Sequence, residues 1–226
     1  MKLIKYQIKE VKKLKPYLLK FFQHNQLKSS KLLEIEEIKK ELNNIISFDL
    51  VKQISTNEEK DSKYSSNLQI IEIILKNEEL PISTLRGYYN LTKVQNFFII
   101  KNNTDRIRYF FPIKSFTQQS VSIDNVINTN WVNLNLLNED NEYIDQNITS
   151  ILNLIQNILL KIYDYHFRKC ESIGKYLERV EQINNLKRKI STLENKMNNE
   201  PQSKKKFKLY NEINSLKSQL SDLEKD

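Results

Sequence analysis

Apolar side chains step by threes and fours from Leu177 to Leu223, with a single interruption. Leu177, Val180, Ile183, Leu186, Ile190, Leu193 and Met197 keep the spacing of a coiled-coil seam. Asn198-Asn199-Glu200-Pro201 then stops the run, because proline has no amide hydrogen with which to continue a helix. Leu209, Ile213, Leu216, Leu220 and Leu223 form a second seam of similar length. Two such arms about a short polar break predict an antiparallel helical hairpin, each arm about 35 Å long. A hairpin of this length packs on itself or presents a face to another helix. Leu186, Ile190, Leu193, Ile213, Leu216 and Leu220 are the residues expected to bind a partner.

The rest of the chain changes period twice. Ile4, Ile8, Val11, Leu14, Leu18 and Phe22 recur at helical spacing with lysines opposite, and Pro16 is expected to open a second helix there. Another helix is expected over 31–44, on Leu33, Ile35, Ile38 and Leu42. From Ser47 the apolar residues alternate or run together, as they do in strands. Strands are expected at 48–54, 68–76, 97–101 and 107–113, the last two joined by the turn Asn102-Asn103-Thr104-Asp105. The polar run 55–66 reads as a loop, Pro81 as the start of a helix through Tyr88 and Tyr89, and 121–123 and 131–136 as short edge strands. After Asp145 the pattern is helical to the end, with Gly174 marking a break. The chain therefore reads as α/β, with α+β as the alternative: a small mixed sheet flanked by helices, then the hairpin. Three segments are expected: basic helices over 1–46, the α/β core with its covering helix over 47–172, and the hairpin tail over 173–226.

Composition narrows the chemistry. Two glycines leave no material for a phosphate-cradling loop, and one cysteine with two histidines excludes zinc fingers and disulfide scaffolds. No metal site and no cofactor are expected. Lysines interrupt every apolar run near the N-terminus, unlike an export signal, and no apolar stretch reaches the roughly 20 residues of a spanning helix. The chain reads as cytoplasmic. Its net charge of +8 is concentrated at residues 1–31 and again at 187–208, so a polyanion is expected to meet one of these ends.

In the second cluster, Lys187, Arg188, Lys189, Lys204, Lys205, Lys206 and Lys208 are the candidate phosphate contacts. Enzymatic readings are weaker, and the chain reads as more consistent with a binding protein than with an enzyme. A metal-dependent nuclease needs an acid on one strand and an acid with a lysine on the next. Asp49, Glu72 and Lys76 offer those types, but Ile74 occupies the intervening position on the shared strand face. His166 and Cys170 would share a face only if both lay on one helix, and His24 is remote. Arg106, Arg108, Tyr109 and Phe110 alternate cation and aromatic as a single-strand binder can, but also as an ordinary half-buried strand does. Trp131 reads as core or edge packing.

Several strings carry a resemblance. Ile190-Ser191-Thr192-Leu193-Glu194-Asn195-Lys196, the break Glu200-Pro201-Gln202-Ser203-Lys204-Lys205-Lys206-Phe207, and Asn211-Glu212-Ile213-Asn214-Ser215-Leu216-Lys217 stand in that order. Before them come Phe48-Asp49-Leu50-Val51, Ile71-Glu72-Ile73-Ile74-Leu75-Lys76, the strand through 97–100 and Asn130-Trp131. Over residues 33–226 the chain resembles the bacterial domain-of-unknown-function family 4391. It departs from that family at the N-terminus, where the usual Leu-Pro-Lys-Ser-Thr segment is missing. The resemblance implies a neighbourhood of DNA methyltransferases and helicases in loci like those of restriction or antiphage defence, and implies no catalytic residues. The expected role is a non-catalytic accessory subunit that docks a helicase and/or DNA methyltransferase through its tail, with lysines near DNA. A nuclease around Asp49, Glu72 and Lys76 is the first alternative, and a self-associating coiled-coil protein the second.

Overall fold

The computed structural model describes residues 11–28, 35–55, 67–116, 121–134 and 151–225. Its elements run β1 (Lys12–Lys13), α1 (Lys15–Lys28), α2 (Ile35–Asn44), β2 (Ile45–Ser55), β3 (Asn67–Leu75), α3 (Ile82–Leu91), β4 (Gln95–Asn102), β5 (Arg106–Phe116), β6 (Val121–Asn128), β7 (Val132–Asn133), α4 (Ile151–Tyr163), α5 (Ile173–Asn199) and α6 (Ser203–Glu224). The fold is mixed α/β, with a seven-stranded, mostly antiparallel open sheet in the order β1-β2-β3-β4-β5-β6 and β7 paired to β5. Among the described strands only β3 and β4 run parallel, and α3 is the crossover such a pair requires.

Both faces of the central strands are buried, which explains their near-continuous apolar runs. Ile71, Ile73, Leu75, Phe98, Ile100 and Phe110 share one core with Leu18 and Phe22 of α1, Ile38 of α2, and Leu85, Tyr88 and Tyr89 of α3. Leu68, Ile70, Phe97, Ile99, Tyr109, Phe111 and Ile113 are buried on the opposite side, with the Phe97 ring 5.5 Å from Tyr109 and 5.3 Å from Phe111. Gly87 lies at the tightest point of the helical layer. A Cβ there would lie 3.1 Å from the Phe22 ring and 3.6 Å from Ile38 Cδ1, so even one methyl would press the Phe22 ring and a longer side chain would have no room without a shift of α3. No side chain of its own caps the start of α3. Glu41 of α2 does so instead, accepting the Ser83 N–H at 2.9 Å and the Thr84 N–H at 2.7 Å.

The structure corrects the expected boundaries in two places. Lys12 and Lys13, read as helical, form a short strand paired to Leu50 and Asp49, and α1 begins only at Lys15, with Pro16 in its first turn. Continuous helix from 145 to the end is broken over 164–172, where Asp164 and Cys170 adopt positive φ, while Gly174 sits inside α5. By its internal contacts the chain divides into two compact units, Met1–Ile162 and Tyr163–Asp226. Helices α1 and α2 belong to the sheet's core, and residues 163–172 bond to the hairpin: Tyr176 OH donates to Tyr165 O at 2.9 Å and Arg179 Nη2 to His166 O at 2.7 Å. The expected features at 1–10, 29–34, 56–66 and 135–150 lie outside the described residues. No helix among the described residues is long and apolar enough to cross a membrane.

Candidate nucleic-acid interface

The hairpin is an antiparallel pair closed on its own seam. Ile190 and Leu193 of α5 are buried with Ile213 and Leu216 of α6, and Leu186, Met197, Leu209 and Leu220 pack around them. The six residues expected to bind a partner all lie in or beside this seam. Lys187–Glu224 at 2.7 Å, Lys217–Glu194 at 2.7 Å and Lys189–Glu212 at 3.4 Å bridge the arms beside the seam. All three are solvent-exposed, so each contributes at most about 1 kcal/mol.

The base of the hairpin is held more firmly. Arg179 and Glu171 form a nearly fully buried ion pair at 2.7 Å, and the Arg179 hydrogen bond holds the Glu171 carboxyl below its ordinary value. Arg168 donates to the backbone oxygens of Asp222, Leu223 and Lys225, filling the carbonyls that the end of α6 leaves open. Phe167 stacks on Tyr176 with ring centroids 3.8 Å apart, and burial pushes the Tyr176 hydroxyl up.

At the other end lies the tip, where Glu200, Pro201 and Gln202 join α5 to α6. Between residues 187 and 212 eight cationic side chains face three carboxylates. They do not form one patch. With Ile190 and Leu193 level with Ile213 and Leu216, Lys187, Arg188 and Lys189 lie on the order of 15 Å along the hairpin from Lys204, Lys205, Lys206 and Lys208. Lys187 and Lys189 are occupied by arm-bridging acids, and Glu224 together with the Tyr165 hydroxyl raises the Lys187 pKa. Lys204, Lys205, Lys206 and Lys208 are exposed on the first two turns of α6. Among the described residues none of these four has a carboxylate partner. Lys205 and Lys208 also line a cleft between the arms with Lys196, Thr192, Asn195 and Asn199.

The other sequence candidates separate. Asp49 and Glu72 are direct cross-strand partners and so share a sheet face, but Glu72 pairs with Lys101 of β4 at 2.6 Å. Lys76 lies beyond the end of β3, exposed, with its N–H donating to Asn44 O. The His166–Cys170 pairing on a helix does not form, because both residues sit in the irregular 164–172 segment. Tyr109 and Phe110 are buried, Arg106 pairs with Glu78, and Arg108 donates to Asn128 Oδ1 at 2.9 Å, which makes this an ordinary strand. Trp131 packs at the edge of the core and donates to Glu78 O.

Two features went unread in the sequence. Phe207 and Tyr210, off the seam, are 64% and 51% exposed. Their signal was two aromatics out of step with the leucines of the same arm. The second is Lys114, fully buried. Pro112 has no N–H for the β4–β5 ladder, and the Gln95 side-chain amide continues it by pairing with Lys114 N–H and C=O. The Lys114 ammonium donates to Val94 O at 2.6 Å, Asn96 Oδ1 at 2.6 Å and Thr92 O at 3.0 Å. Thr92 is the C-cap of α3, so the cation closes the negative end of that helix, whose last turn has no basic residue of its own. Its donors are filled, which makes Lys114 a brace between α3 and the sheet.

The model of the family described as domain of unknown function (DUF4391) matches residues 37–220. No curated protein and no solved structure matches the chain. Most of the chain, from α2 through the hairpin, follows this one family pattern, and the protein belongs to the DUF4391 family.

Proposed function

We propose that this protein is a non-catalytic accessory subunit of a DNA-processing system, of the restriction-modification or antiphage kind. Its hairpin tip contacts nucleic-acid phosphates without reading sequence, and the outer faces of its arms dock a helicase and/or DNA methyltransferase subunit. The observation that carries the nucleic-acid part is the run of Lys204, Lys205, Lys206 and Lys208 at the tip, exposed and without carboxylate partners among the described residues. Uncompensated cations on a rigid helix attract a phosphate backbone by counterion release, a sequence-independent force. The partner classes come from the family resemblance.

The test compares the full chain with the variant K204E/K205E/K206E/K208E by fluorescence anisotropy on labelled oligonucleotides. The reading predicts that binding falls by at least about a hundredfold while the helical circular dichroism is kept. Equal binding by the two proteins would contradict it. For the partner, the tagged protein is purified from its host with nuclease treatment. A helicase or methyltransferase that stays bound supports docking, and loss of every partner with the nucleic acid removes that part of the reading.

A further inference from the structure

Phe207 and Tyr210 stand one helical turn apart on α6, 64% and 51% exposed. Among the described residues of the hairpin unit they are the only large apolar side chains so exposed. Isolated exposed apolar residues need no explanation, but these are adjacent and placed by a rule. The seam residues Leu209, Ile213, Leu216 and Leu220 define the inner side of α6. At 100° per residue Phe207 projects nearly opposite to them, with Lys204 and Lys208 on one flank and Tyr210 on the other. Lys206, one turn before Tyr210, adjoins it on that other flank, so the aromatic pair lies among cations that have no carboxylate partner among the described residues. A duplex offers such a surface only its phosphates, because its base faces are stacked away. A single strand offers phosphates to the lysines and base faces to the rings, which is the pairing that sequence-tolerant single-strand binders use.

We infer that the outer face of α6, with Phe207 and Tyr210 as stacking platforms flanked by Lys204 and Lys208 on one side and Lys206 on the other, binds single-stranded nucleic acid in preference to duplex. This rests on the nucleic-acid reading above and specifies the form of its ligand.

The test uses the full chain with a labelled oligothymidylate and a labelled duplex of equal length, at equal salt. The single strand is expected to bind at least about tenfold more tightly. F207A/Y210A should bring single-strand binding down to the duplex level while leaving the dependence on salt unchanged, because no phosphate contact is removed. F207W/Y210W should keep the preference, since it keeps both ring faces, and circular dichroism of each variant checks that the hairpin is folded. An oligonucleotide carrying iodouracil should crosslink to Phe207 or Tyr210. Equal affinity for the two forms, or an undiminished preference in F207A/Y210A, would overturn this inference and leave the phosphate reading standing. Failure to bind either form would overturn both.

Discussion

Replacing Lys114 with methionine tests the energetics of the sheet unit. Burial pulls the Lys114 ammonium from its ordinary 10.5 down to about 7. Between those values the unfolded chain holds a proton that the folded chain has released, so stability rises as pH rises and is lost as pH falls toward 7. One such group gives a slope approaching ~1.4 kcal/mol per pH unit, or about 2–3 kcal/mol between roughly pH 7.5 and 9.5. Lys114→Met removes that slope and leaves Val94 O, Asn96 Oδ1 and Thr92 O without their donor, at a cost of about 1–3 kcal/mol for a buried acceptor. Burial pushes the Tyr88 hydroxyl up to about 12, so its contribution is lost only at higher pH and is common to both proteins. Urea unfolding followed by the fluorescence of Trp131, the single tryptophan and a neighbour of this core, reports the right unit. The stability gap between the parent and Lys114→Met should widen by about 2–3 kcal/mol across the window. Parallel pH profiles would refute the assignment of Lys114 as a buried cation losing its proton near neutrality.

Gly87→Leu should destabilise the sheet unit by at least about 2 kcal/mol in the same assay, because the new side chain meets the Phe22 ring in a filled layer; unchanged stability would mean that α3 can move outward freely. Arg179→Ala should cost about 3 kcal/mol in thermal unfolding of the hairpin, by leaving Glu171 buried without its partner. Replacing both residues with methionine should recover most of that loss. Because the Glu171 pKa is lowered in the folded state, the hairpin should also weaken as pH falls below about 4.5, and the double variant should lose this acid sensitivity.

Periodicity carried much of the architecture. The two seams predicted α5, α6 and the break at Pro201, and alternating apolar runs located β3, β4 and β5 to within a few residues. What escaped were features set by partners distant in sequence. Lys12 and Lys13 have no local strand signal and are extended because β2 offers its edge. Alternation along one strand puts Lys76 on the face of Glu72, whereas the parallel pairing of β3 and β4 brings Lys101 to it. The break over 164–172 has no glycine or proline, and side chains of the hairpin stabilise it instead. Lys114 could have been noticed, since alternation puts it on the side of Phe110 and Pro112, but the oxygens that receive it come from the α3–β4 connection. At the tip, the cations were legible as composition. Their division into bridging lysines at 187 and 189 and lysines at 204, 205, 206 and 208 without a carboxylate partner among the described residues depends on how the arms align.

The salt dependence of oligonucleotide binding by the full chain tests the central claim most directly. With the tip lysines on phosphates, log K should fall linearly with log salt, and reversing Lys204, Lys205, Lys206 and Lys208 should reduce the slope by about 0.7 per lost single-strand contact. A slope that the reversal leaves unchanged, or no binding at low salt, would contradict the assignment of the hairpin tip as a nucleic-acid contact.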